Sequence, residues 1–231
     1  MTKIAILIII ALIIAAGVYT ELQRGNNLAQ TAKRLGLDFT AGLQPIPPEL
    51  ESPGFDLLVQ GNSEIGNRMS GTRQGYGLDI FDYSYDASSA GDGFASHPAA
   101  DDQMGMERRN QTVIHLRSTL LFPDFDVSPS RGHQRQVAAR FGFSPLVLEE
   151  DRPFNQDYRL LTRDSQRCRA LFTAEVRTFL LNHPGLVVEG RGQDLLFYRF
   201  SQRLKAKQLQ SFLQEVEELA GLLESALATA Q

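Results

Sequence analysis

Residues 67–85, NRMSGTRQGYGLDIFDYSY, decide the fold class. Two runs of strand-forming residues, 67–72 and 76–85, flank Arg73-Gln74-Gly75, a three-residue connection with the glycine that such a turn favours, so the stretch reads as a β-hairpin. In the second run Tyr76, Leu78, Ile80, Phe81, Tyr83 and Tyr85 nearly alternate with Asp79, Asp82 and Ser84. Residues 112–119 repeat the device, with Val113, His115 and Arg117 opposed to Thr112, Ile114 and Leu116. The expected product is antiparallel sheet with one wet face. Residues 55–60 read as a further short strand. Residues 120–129, apolar and broken by prolines, read as an edge strand or a crossing of the sheet edge, and 134–143 as a short helix ending at Gly142.

Downstream, residues 158–162 read as a strand and 164–172 as a short helix. Thr173 caps a second helix, which His183-Pro184-Gly185 stops after Asn182. Residues 186–189 and 195–200 are expected to be strands around a turn at 190–193. Phe154, Tyr158, Asp164, the run Arg169-Ala170-Leu171-Phe172-Thr173 and the closing segment 185–198 resemble a group of uncharacterised bacterial membrane-attached proteins with an N-terminal apolar helix. The likeness extends more weakly over about residues 29–213. It implies a shared fold and a tethered domain; it implies no activity and no site residue. Residues 204–228 then place Leu209, Phe212 or Leu213, Val216, Leu219, Leu223 and Leu227 on one stripe, with Glu215, Glu217, Glu218 and Glu224 outside it. This is an amphipathic helix to be packed on the sheet or, alternatively, offered to a protein partner. The fold class is therefore α+β, a mostly antiparallel sheet packed by helices.

Upstream, residues 4–19, IAILIIIALIIAAGVY, carry no charge and one glycine. At about 1.5 Å per residue they form a helix about 24 Å long, enough to cross a locally thinned bilayer. The competing reading is a cleaved signal peptide with Lys3 as its basic region and Ala15-Ala16-Gly17 at the cut, which would export the domain. Lys3 on one side against Arg24, Lys33 and Arg34 on the other places the domain in the cytoplasm, behind a single-pass anchor in the inner membrane. Helical spacing continues through 21–37, with a weak point at Gly25-Asn26-Asn27 and an end signal at Gly36, and four prolines in 43–54 favour extended chain. The organisation expected is an anchor at 1–20, a connecting helix and proline-rich linker at 21–54, and one domain at 55–231.

Function is less legible. A net charge of -4 and a pI near 5.6 exclude a broad nucleic-acid footprint. Cys168, the single cysteine, excludes a disulfide framework or a zinc site built on several thiolates, and its RCRALF setting reads as core. No cofactor motif is present. Of the four histidines, His97, His115, His133 and His183, none sits in a nucleophile or metal pattern, and no serine occupies a G-x-S-x-G elbow. Two candidate sites stand out. Asp92, His97, Asp101 and Asp102 lie in the aperiodic stretch 86–110, with donors suited to a divalent metal or a ligand. Arg131, Arg135 and Arg140 offer a basic set that anionic lipid would attract. The leading expectation is a non-enzymatic accessory or scaffold domain binding other proteins at the membrane; the alternative is an exported hydrolase or ligand-binding protein using the 86–110 loop.

Overall fold

A computed structural model describes residues 2–59, 62–86, 94–95, 108–130, 134–135 and 142–229. The fold is α+β. Seven antiparallel strands form one sheet: β1 (Asp38–Gln44), β2 (Glu64–Arg73), β3 (Tyr76–Asp86), β5 (Arg108–Pro129), β7 (Ser144–Leu146), β8 (Tyr158–Thr162) and β9 (Leu186–Arg199). The order is β1-β2-β3-β5-β8-β7, with β9 also paired to β5. Two-residue strands β4 (Phe94–Ala95) and β6 (Gln134–Arg135) pair separately. The helices are α1 (Thr2–Leu35), α2 (Pro48–Glu51), α3 (Arg152–Asp157), α4 (Ser165–Leu171), α5 (Ala174–Asn182) and α6 (Ala206–Thr229).

The hairpin at 67–85 is present: β2 and β3 close on Gln74 and Gly75, both at positive φ, with Arg73 opposite Tyr76. Both faces of the central strands are covered, however, where one wet face was expected. Leu78, Ile80, Ile114 and Leu116 enter the core beneath the helices, while Phe81, Tyr83, Tyr85, Val113, Leu196 and Tyr198 form a second cluster with Leu50, Phe55, Leu57 and Leu58. Residues 56–59 are turns rather than a strand, held down by the Tyr83 hydroxyl donating to the Leu57 carbonyl at 2.5 Å. The proline-rich stretch departs from extended chain in α2, where Pro47 and Pro48 fit a helix start and Leu50 is fully buried.

Strand β5 accounts for the other departures. Its first half lies between β3 and β9, and its second half, 125–129, lies between β8 and β9, so this proline-containing segment is central rather than an edge. Register shifts between Arg117 and Phe125 mark where the long strand is irregular. The turn expected at 190–193 is absent because 186–199 runs opposite β5 as one strand, its irregularity absorbed at Gly192 with φ 57°. Of the helix expected at 134–143, residues 134–135 are strand, and 136–141 lie outside the described residues.

The Thr173 cap and the His183 stop are in place, and Asp164, expected as the first residue of a helix, is instead its cap. Asp164 accepts from Arg167 N, Thr173 accepts from Val176 N, and His183 ends α5 with Nδ1 2.8 Å from the Phe179 carbonyl oxygen. Cys168 is fully buried in the core, and burial pushes its thiol up to about 12. In α6 every residue of the leucine stripe is buried, from Leu209 to Leu227. At about 1.5–3 kcal/mol for each large apolar side chain, that face fixes the helix on the sheet.

Helix α1 is 34 residues long, about 51 Å, and is unbroken through Gly25-Asn26-Asn27. It ends at Gly36, φ 73°, as the Leu37 N–H donates to the Ala32 carbonyl. Its two halves live in different surroundings. From Ile8 to Leu22 the isoleucine, leucine, valine and tyrosine side chains are 48–67% exposed, whereas Leu28, Thr31 and Ala32 are buried in the fold. Its apolar length is sufficient to cross a membrane.

Candidate functional site at the base of the first helix

Asp82 is the hub that joins α1 to the sheet. Its carboxylate accepts a two-pronged bond from Arg24, Nε at 2.9 Å and Nη2 at 2.6 Å, and further bonds from Asn67 at 3.0 Å, Arg203 at 3.1 and 3.2 Å, and the Thr112 hydroxyl at 3.2 Å. Burial alone would raise this carboxyl; the Arg24 and Arg203 guanidiniums and Asn67 outweigh it and hold the pKa below the usual range. Arg24 reaches further, donating to the Leu204 carbonyl at 2.6 Å, and Arg203 pairs with Glu21. One carboxylate thus ties together α1, β2, β3, β5 and the approach to α6. The alternation in β3 points Asp82 toward the helices, on the face opposite Asp79.

A groove of about 710 Å³ runs beside this hub. One wall is α1, contributing Val18, Leu22 and Ala29; the other is the sheet edge, contributing Phe39, Leu43 and the backbone of Gly66. Asn67, Ser84, Asn110 and Arg108 supply polar groups. Because β1 follows α1 through a tight turn and runs back alongside it, exposed Leu43 returns toward exposed Leu22. Apolar surface is therefore concentrated where the apolar segment meets the domain.

On the other face His115 is buried between two carboxylates, Nε2 2.9 Å from Asp194 and Nδ1 3.4 Å from Asp79. Burial opposes a charged imidazole, but the bonds and charges of Asp194 and Asp79 prevail and raise its pKa above 6.5. Asp79 also pairs with Arg68 at 2.7 Å, and the Phe55 ring meets the imidazole edge-on. With both ring nitrogens engaged, this histidine is a structural member of a polar ladder across the sheet.

Asp56, Asp126 and Glu189 form a third polar group, one oxygen from each lying within 4.8 Å of the others. The spacing would suit a cation, yet Arg191 already supplies one, 3.4 Å from Asp56 and 3.7 Å from Glu189. Glu189 also accepts from Asp56 N at 2.7 Å and the Tyr198 hydroxyl at 2.8 Å. The set pins residues 55–58 onto the sheet.

The fold has a solved counterpart. The crystal structure of the mycobacterial trehalose monomycolate transport factor A, TtfA, superposes with a TM-score of 0.56 at 13% identity, over 86% of this chain and 93% of that one. At that identity the likeness shows the fold alone. No protein-family model and no curated protein sequence matches the chain.

Of the residues singled out from sequence, Asp92, His97, Asp101, Asp102, Arg131 and Arg140 lie outside the described residues, and Arg135 is described only as part of β6. Asp79 and Asp82 face opposite ways, while Asp151 caps α3 and pairs with Arg177 at 2.7 Å. Arg24, Asp82 and His115 were the residues to find. The near-alternation of β3 assigned Asp79 and Asp82 to one wet face, whereas they lie on opposite, covered faces; partners as distant as Asp79 from His115, 36 residues, and Arg203 from Asp82, 121 residues, leave no local pattern.

Proposed function

We propose that this protein is a single-pass, membrane-tethered accessory component of a transport machinery, its domain held against the cytoplasmic face of the inner membrane and acting by binding other proteins. The observation that supports this best is the continuity of α1. The exposed apolar half and the docked half are one helix, and the Arg24–Asp82 pair locks the second half to the sheet within about 8 Å of the end of the apolar segment, five residues at 1.5 Å each. A flexible tether would let the domain roam; this one fixes its height and orientation at the bilayer. The role in transport is drawn from the fold shared with the transport factor, and the cytoplasmic placement from the basic residues after the apolar segment.

The groove beside α1 is the surface we assign to the membrane-embedded part of a partner, because its apolar wall continues the apolar segment itself. A photoreactive amino acid at Leu43, in the full chain in its own cells, is expected to cross-link a polytopic membrane protein. The same probe at exposed Val147, next to the far edge strand, is expected not to. Identical patterns from the two positions, or no adduct at Leu43, would overturn the reading.

A further inference from the structure

On the opposite side of α1 from the groove lies a second cleft, about 530 Å³, between that helix and the start of α6. Thr20, Gln23, Asn27, Gln30 and Arg34 recur at three- and four-residue steps and so form one stripe along α1; Lys205 and Lys207 face it from the other wall. Every ionisable group carrying charge at neutral pH in this lining is basic, in a chain whose net charge is -4. Arg24, deepest of them, is matched by Asp82. The other three are not matched: among the described residues Arg34 donates only within its own helix, to the Gln30 carbonyl and the Thr31 hydroxyl, and neither Arg34, Lys205 nor Lys207 has a carboxylate within 4.0 Å. The rim is Tyr19 and Thr20, where the apolar segment ends and an interfacial aromatic belongs.

We infer that this cleft binds the phosphate headgroup of an anionic phospholipid. The chemistry is that of a phosphodiester: three unmatched cationic side chains for its charge, the amides of Gln23 and Asn27 for its ester and glycerol oxygens, and a mouth at the level where headgroups lie. The volume falls within the range of small-ligand sites. The lipid would be held beside α1 with its acyl chains running along the apolar segment. This inference rests on the membrane anchoring proposed above but not on any protein partner, and it is separable from the cross-linking result.

The test uses the full chain in detergent micelles, examined by native mass spectrometry with added phosphatidylglycerol, phosphatidylcholine or inorganic phosphate. The wild-type chain is expected to retain one phosphatidylglycerol and to show no comparable retention of phosphatidylcholine. The triple variant R34Q/K205Q/K207Q should bind phosphatidylglycerol about 100-fold more weakly, each basic group near an anionic lipid being worth about fivefold. Lys33→Gln, outside the lining, should leave binding unchanged, and K205R/K207R should preserve it. The substituted side chains are at the surface, and an unchanged melting temperature will verify that the triple variant folds. Equal retention of phosphatidylcholine, or an undiminished triple variant, would overturn the site. Displacement of the lipid by millimolar inorganic phosphate would overturn the membrane as its source.

Discussion

Arg24 and Asp82, 58 residues apart in the chain, meet through two parallel hydrogen bonds with their side chains 15% and 11% exposed. A fork-to-fork pair of this kind fixes direction as well as distance. It extends the docking of α1, begun by buried Leu28 and Ala32, one turn closer to the apolar segment.

The first prediction concerns that pair. Asp82→Ala leaves Arg24 and Arg203 facing a half-buried gap, and breaking a buried pair from one side costs about 3–5 kcal/mol; the residual exposure here lowers the expectation to about 2–4. Arg24→Gln should cost less, because Arg203 and Asn67 still serve the carboxylate. Urea unfolding of the full chain in micelles gives both values, and the double variant gives their coupling. Additive effects with a coupling near zero would mean that the pair does not join helix to sheet.

His115 makes stability depend on pH. Its folded pKa is raised, so the stabilisation it brings is complete below the unfolded value of about 6.5 and is lost as pH rises through the folded value. Asp79 has a lowered pKa, its own burial penalty being exceeded by His115 and Arg68, so its contribution is present above about 3.8 and is lost as pH falls through the folded value. Melting temperature should therefore decline from pH 6 upward, with a slope of at most about 1.4 kcal/mol per pH unit from this histidine. In His115→Gln that part of the decline should vanish; the same slope in the variant would assign it to other groups.

Gly190 is required by packing rather than by backbone conformation. A Cβ at this position would stand 2.7 Å from Phe125 Cδ1 and 2.9 Å from its Cζ, and the ring is itself wedged edge-on against Phe172. Gly190→Ala should cost about 1–3 kcal/mol by overpacking. The double change Gly190→Ala with Phe125→Leu should recover part of the loss, and thermal melts that show no recovery would contradict the steric account.

Arg191 is the cation of the buried carboxylate group. Arg191→Met is expected to destabilise the chain by about 3–5 kcal/mol, since it leaves Asp56 and Glu189 without their guanidinium. Exhaustive chelation should leave the melting temperature unchanged. A drop on chelation, restored by one divalent ion, would instead make the three carboxylates a metal site.

What could be read from sequence follows the range of the forces involved. Short-range devices were legible: the hairpin at Arg73-Gln74-Gly75, the Thr173 cap, the α6 stripe and the Gly36 stop each involve neighbours within a few residues. The double coverage of β3 and β5 was not, because the second layer comes from residues 50–58, where buried Leu50 lies in a proline-rich context that resembles exposed linker and buried Phe55 and Leu57 lie in a run that resembles a strand. The expected turn at 190–193 failed for a related reason. Gly190 and Gly192 look like turn residues locally, but one yields space to Phe125 and the other absorbs an irregularity opposite β5. The candidate site was legible only in part: residues 4–19 showed the apolar helix, and nothing local to Arg24 or Lys205 announced that they flank it in space.

The central claim is that the domain rests against the bilayer, fixed there by α1. The chain has no tryptophan, so Leu43→Trp places a single reporter in the groove beside Val18 and Leu22, at a position 69% exposed in the isolated protein. The full chain would be reconstituted in nanodiscs containing lipids brominated near the headgroup end of the acyl chain, with Val147→Trp as the distant control. The account predicts blue-shifted emission and strong bromine quenching at position 43, and neither at position 147. Water-exposed, unquenched emission from Leu43→Trp would contradict it.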